Sequence, residues 1–92
     1  MKKTIANIED AKQVARSSGS VGANYIEANE SLSKKDFVYR VKICRKEAKE
    51  STYWLRLINE TNDLTNKQTV EELIQESIEL RKIFSAILEK SK

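Results

Sequence analysis

The 92 residues allow one small domain, contain no proline, and are 34% charged and 39% hydrophobic, the composition of an all-helical chain. A single cysteine (Cys44) and no histidine exclude an intramolecular disulfide, the usual zinc-site spacings and any Cys/His or Ser/His/Asp nucleophilic arrangement. The net charge of +3 hides a partition: residues 1–33 balance, 34–58 hold eight Lys/Arg against three Asp/Glu, 59–80 one against six, and 81–92 four against one.

The first helix is predicted from Thr4 or Ile5 to about Ala28, because Ile5, Ile8, Ala11, Ala15, Ser18, Gly22 and Tyr25 or Ile26 recur at three- and four-residue spacing. Its start is basic, but Glu9, Asp10 and Lys12 interrupt the chain before an apolar run can form. Neither a signal peptide nor a membrane span is expected, and the expected compartment is a reducing cytoplasm. Within this helix the stretch Arg16–Glu27 is the most unusual. Glycine costs about 1 kcal/mol relative to alanine inside a helix, so Gly19 and Gly22 predict that another backbone comes close. Arg16, Ser20, Asn24 and Glu27 step by four, four and three into one polar line. That line reads as a polar lock between helices, in which Asn24 and Glu27 find partners in Arg16 or a basic residue of the second helix, and Glu50 belongs to it.

Asn29–Ser33 breaks the pattern, and Ser33 followed by Asp36 resembles a capping box with Asp in place of Glu. The second helix, about Lys34 to Asn59, carries Phe37, Val41, Cys44, Ala48, Ser51, Leu55 and Ile58 in an unbroken heptad seam. On a wheel of about 100° per residue, Lys34, Lys35, Lys42, Arg45, Lys49 and Arg56 gather in the next sector. This basic edge could neutralise phosphates and release counterions, or be a solvated face paired internally through Lys42, Lys46, Glu47 and Glu50. A third sector holds Tyr39, Ile43, Tyr53, Trp54 and Leu57. A second apolar face on one helix predicts an oligomer interface, the plainer alternative being amphipathic surface aromatics.

Loop chemistry from Asn59 to Asn66 precedes a third helix of about Lys67 to Lys90, capped by Thr65 or Thr69, with Val70, Leu73, Ile74, Ser77, Leu80, Phe84, Ile87 and Leu88 on its apolar face. Its acidic first turns and basic last turn suit the helix dipole. Short connections predict antiparallel neighbours, hence an up-down bundle of three long helices in one domain spanning residues 1–92. Glu27, Glu47 and Glu50 could form a carboxylate cluster for acid/base work or two metals, but bundle sites of that kind use Glu-x-x-His and there is no histidine. No enzyme activity, metal or cofactor is therefore expected.

Three blocks carry a resemblance: Gln13-x-x-Arg16-Ser17-x-x-Ser20-Val21-Gly22-Ala23-Asn24-x-x-Glu27-Ala28, then Ser33-Lys34-Lys35-Asp36-Phe37, then Ile43-Cys44-x-x-Glu47-Ala48-x-Glu50-Ser51-x-x-Trp54-Leu55. Over about residues 12 to 90 the chain resembles a bacterial four-helix-bundle family. That family includes proteins encoded in intervening sequences of large-subunit ribosomal RNA genes and the accessory variability proteins of diversity-generating retroelements. The resemblance implies an antiparallel bundle assembled as a homo-oligomer, a pentamer among retroelement members, with a dimer as the smaller option. It also implies a basic surface for RNA or DNA and for a reverse transcriptase. Family members carry a further amphipathic helix before the Gln-x-x-Arg block, and residues 1–11 are too short to supply it. The fourth position is then empty, filled by the first turns of the first helix, or filled by a neighbour. The alternative function is a protein–protein interaction module that binds no nucleic acid.

Overall fold

The computed structural model describes residues 5–61 and 67–92, with side chains from Ile8 to Glu60 and from Lys67 onward. These residues form three α-helices, α1 (Ile5–Asn29), α2 (Lys34–Thr61) and α3 (Lys67–Lys90), with no strand among them. The cap candidates Thr4, Thr65 and Asn66 lie outside the described residues.

The α1–α2 junction is built by local hydrogen bonding. The Glu30 amide reaches the carbonyls of Ile26 and Glu27 at 3.2 Å each, and the Ser31 amide reaches Ala28 at 3.1 Å, so α1 closes in a tightened last turn with no residue at positive φ. Ser33 then caps α2: its Oγ accepts the Asp36 amide at 3.1 Å, a contact worth about 1 kcal/mol. The reciprocal half of the box is replaced. The Asp36 carboxylate turns to the Ser31 hydroxyl at 2.8 Å, which ties the loop to the new helix.

α2 is the spine. Both α1 and α3 pack on it, and the backbones of α1 and α3 do not come within 8 Å of each other among the described residues. The molecule is therefore a thin layer of 47 × 20 × 13 Å, close to the thickness of one helix with its side chains. Contacts between α1 and α2 run antiparallel, from Arg16 against Glu50 at one end to Asn24 against Arg40 at the other. The core collects where the C-terminal ends of α1 and α3 meet the first half of α2. Ala28, Val41, Cys44, Ala48 and Phe84 are buried there, flanked by Val21, Phe37, Ile87 and Leu88. At the other end α1 and α3 diverge, leaving a groove of about 160 Å³ with Val14 and Ser18 on one wall, Leu73 and Leu80 on the other, and Ser51 and Leu55 in its floor.

The α2 seam is largely inward: Val41, Cys44, Ala48, Ser51 and Leu55 are buried, with Phe37 and Ile58 half-buried. The α1 stripe differs from expectation. Ile8, Ala11, Ala15, Ser18 and Gly22 are exposed, whereas α2 is met by the adjoining line of Val14, Ser17, Val21, Asn24 and Ala28. α1 presents two weakly apolar stripes, and a layer offers it only one neighbour. The narrow Cys44–Ala48–Ser51 strip of α2 accepts the line containing Ser17 and Val21, so the other stripe is left outside.

Candidate functional site

Each of the three residue groups singled out by sequence has a definite place. In the polar group, Arg16 crosses from α1 to α2, where its guanidinium meets Glu47 Oε2 at 3.2 Å and Glu50 Oε1 at 3.4 Å. Glu47 is buried while Arg16 is half-exposed, so the cation neutralises a carboxylate that would be costly to leave alone. Asn24 is held from both sides: Arg40 donates to its Oδ1 at 3.1 Å, and its own Nδ2 donates to the Ser20 carbonyl at 2.9 Å. Glu27 stays outside this network with its side chain exposed to water, so it needs no buried partner.

The glycine expectation is corrected. A methyl group placed on Gly19 or Gly22 would meet nothing within 4 Å, and both residues are exposed. Among the described residues no backbone approaches them, because the line of α1 that reaches α2 lies on another face of the helix.

Two further ties were not singled out from sequence. Ser17 Oγ lies 2.7 Å from Ser51 Oγ, and Thr52 Oγ1 lies 2.6 Å from Ser77 Oγ, all four residues being buried. In each pair one hydroxyl donates to the other, and the acceptor donates to a carbonyl of its own helix: Gln13 or Glu47 in the first pair, Ala48 or Ile74 in the second. The signal was present: Ser51 and Ser77 stood in apolar stripes, and a hydroxyl in a core position requires a partner. Cys44 is buried in the same seam, its thiol 3.5 Å from the Val21 carbonyl, and burial pushes its pKa up. It is held as a neutral, weakly reactive thiol.

The basic group lies on the other side of α2. Lys34, Lys35, Lys42, Lys49 and Arg56 are exposed and Arg45 is half-buried, and none of them forms an ion pair within the described residues. The spacing explains this: neither Glu47 nor Glu50 stands three or four residues from any of the six, and both carboxylates turn instead to Arg16 of α1. Arg40 is separate in position and role, turned to Asn24 and 3.9 Å from Asp36. From Lys34 to Arg56 the edge runs about 33 Å at 1.5 Å per residue.

The aromatic group is divided. Tyr39 and Tyr53 are exposed, whereas Ile43, Trp54 and Leu57 are half-buried. Tyr53 meets Trp54 edge-on with centroids 5.0 Å apart, and the buried Trp54 Nε1 has no hydrogen-bond acceptor. Arg40 lies 5.8 Å from the centre of the Tyr39 ring. The described residues contain no group of three or more His, Cys, Asp or Glu placed to hold a metal, and no helix among them is long and apolar enough to cross a membrane.

Comparison with known proteins agrees with the arrangement of the helices. The model of the 23S rRNA-intervening sequence protein family matches residues 3–86. A crystal structure of a protein of unknown function from the S23 ribosomal protein family, from Bacteroides thetaiotaomicron VPI-5482, is 35% identical with a TM-score of 0.79. The match covers 94% of this chain and 75% of that one. No curated protein matches. The chain belongs to the 23S rRNA-intervening sequence protein family.

Proposed function

From that membership we infer that the chain is a non-enzymatic, self-associating helical protein that binds structured RNA or DNA along the basic edge of α2. The observation that carries this reading is the set of cations at Lys34, Lys35, Lys42, Arg45, Lys49 and Arg56, none of which forms an ion pair among the described residues or has Glu47 or Glu50 three or four residues away. A straight cationic edge of about 33 Å spans roughly ten phosphate steps of one strand at 3.4 Å each. Such an edge reads backbone rather than sequence, so affinity should fall steeply with salt.

The test is a fluorescence-anisotropy titration with a structured RNA and a DNA duplex at low and moderate salt. Binding at low salt that weakens with added salt, and is lost in Lys49→Glu/Arg56→Glu, is the expected outcome. No binding to either at low salt ends the nucleic-acid reading. The gene's neighbourhood separates the two family settings: a position inside a ribosomal RNA operon favours RNA, and one beside a reverse transcriptase makes that enzyme the partner.

A second reading, a protein-only interaction module, is favoured by the exposed Tyr39 and by the exposed Tyr53 against a Trp54 indole whose N–H has no acceptor. If Trp54→Ala changes neither stability nor assembly, the aromatic sector is not the contact.

A further inference from the structure

Two exposed apolar strips on this molecule are bordered by charge of opposite sign. On α3, Leu80 and Ile83 lie open beside Glu72, Glu76 and Glu79. On α2, Val38 and Tyr39 lie beside Lys34, Lys35 and Lys42. Among the described residues the strip's glutamates form one ion pair, Glu79 with Lys82 at 3.5 Å, and both side chains are mostly exposed, so that pair holds the glutamate weakly.

The strips cannot meet within one chain. The α2 strip is lined by α2 residues alone and the α3 strip by α3 residues alone, with no residue common to the two. Their spacing nevertheless matches. Lys35 and Lys42 are seven residues apart, as are Glu72 and Glu79, and each pair spans about 10.5 Å, two helical turns.

We propose that the α2 strip of one copy seats on the α3 strip of the next, with Val38 and Tyr39 against Leu80 and Ile83, and Lys35 and Lys42 against Glu72 and Glu79. Because the two surfaces differ, the contact is head-to-tail: each copy keeps one free strip of each kind until the series closes into a ring. This arrangement rests on the self-association part of the proposed function and names the surfaces that perform it. It also divides the basic edge. Lys34, Lys35 and Lys42 are committed to the neighbouring copy, and Arg45, Lys49 and Arg56 remain for phosphate.

The test is sedimentation of four samples of the full chain: wild type, Lys35→Glu/Lys42→Glu, Glu72→Lys/Glu79→Lys, and an equimolar mixture of the two variants. All four substituted residues are exposed, so unchanged helical circular dichroism verifies folding. Wild type is expected at a multiple of the 10.6 kDa chain mass and each variant alone at 10.6 kDa. The mixture is expected to assemble again, because every contact in it is then between opposite charges. A wild-type protein that is monomeric throughout overturns both the pairing and self-association. An assembled wild type whose variants also assemble, or whose variants remain monomeric when mixed, overturns the pairing alone.

Discussion

The two seams of α2 use different physics. Toward α1 the contact is directional: Arg16 on Glu47 and Glu50, Ser17 on Ser51, Arg40 on Asn24, with Val21 as the apolar member of the core cluster alongside Ala28. Toward α3 one hydroxyl pair, Thr52–Ser77, accompanies the buried Phe84 ring, around which Val41, Cys44 and Ala48 collect and on which Tyr25 of α1 leans with centroids 6.2 Å apart. The first seam fixes which faces meet, and the second supplies the depth of apolar burial. A helix without large side chains at its contact can still be placed uniquely if its polar groups have only one set of partners.

This contrast can be broken by substitution. The largest effect is expected from Phe84→Ala, which removes the one aromatic core residue and should lower stability by about 3–5 kcal/mol, read as a shift of the urea midpoint. If the loss is no larger than that of a polar-seam variant, the division of labour is wrong. Arg16→Ala comes next. It leaves the buried Glu47 carboxylate without its cation and should cost about 1–3 kcal/mol in the same measurement. The smallest effects sharpen the picture outside the seams. Gly19→Ala and Gly22→Ala meet nothing within 4 Å, so each should stabilise the monomeric chain by up to about 1 kcal/mol through helix propensity. A loss of stability that appears only at assembling concentrations would mean that a second copy lies against these glycines.

Three helices, the buried α2 seam and the Ser33 cap were legible in the sequence because each rests on local spacing: heptads for the seam and one serine three residues before Asp36 for the cap. The face of α1 was not. Ile8–Ala11–Ala15–Ser18–Gly22 and Val14–Ser17–Val21–Asn24–Ala28 are both regular and both thin, and only the shape of α2 distinguishes them. Reading the glycines as a close-packing surface followed from that choice. The basic edge was visible as a sector, and its lack of neutralising partners follows from the same spacing, whereas the hold of Arg16 on Glu47 and Glu50 was not legible because it joins residues 31 and 34 apart in sequence.

The layer has a kinetic consequence. Since the backbones of α1 and α3 each approach only α2 among the described residues, most helix contacts join neighbours in the chain, and the Tyr25–Phe84 ring contact between the first helix and the last can be added once both hairpins are formed. Such local topology favours rapid folding by two hairpin closures, with either hairpin able to form first. A seam that forms late will betray itself by accelerating unfolding when weakened, whereas the early one will slow folding.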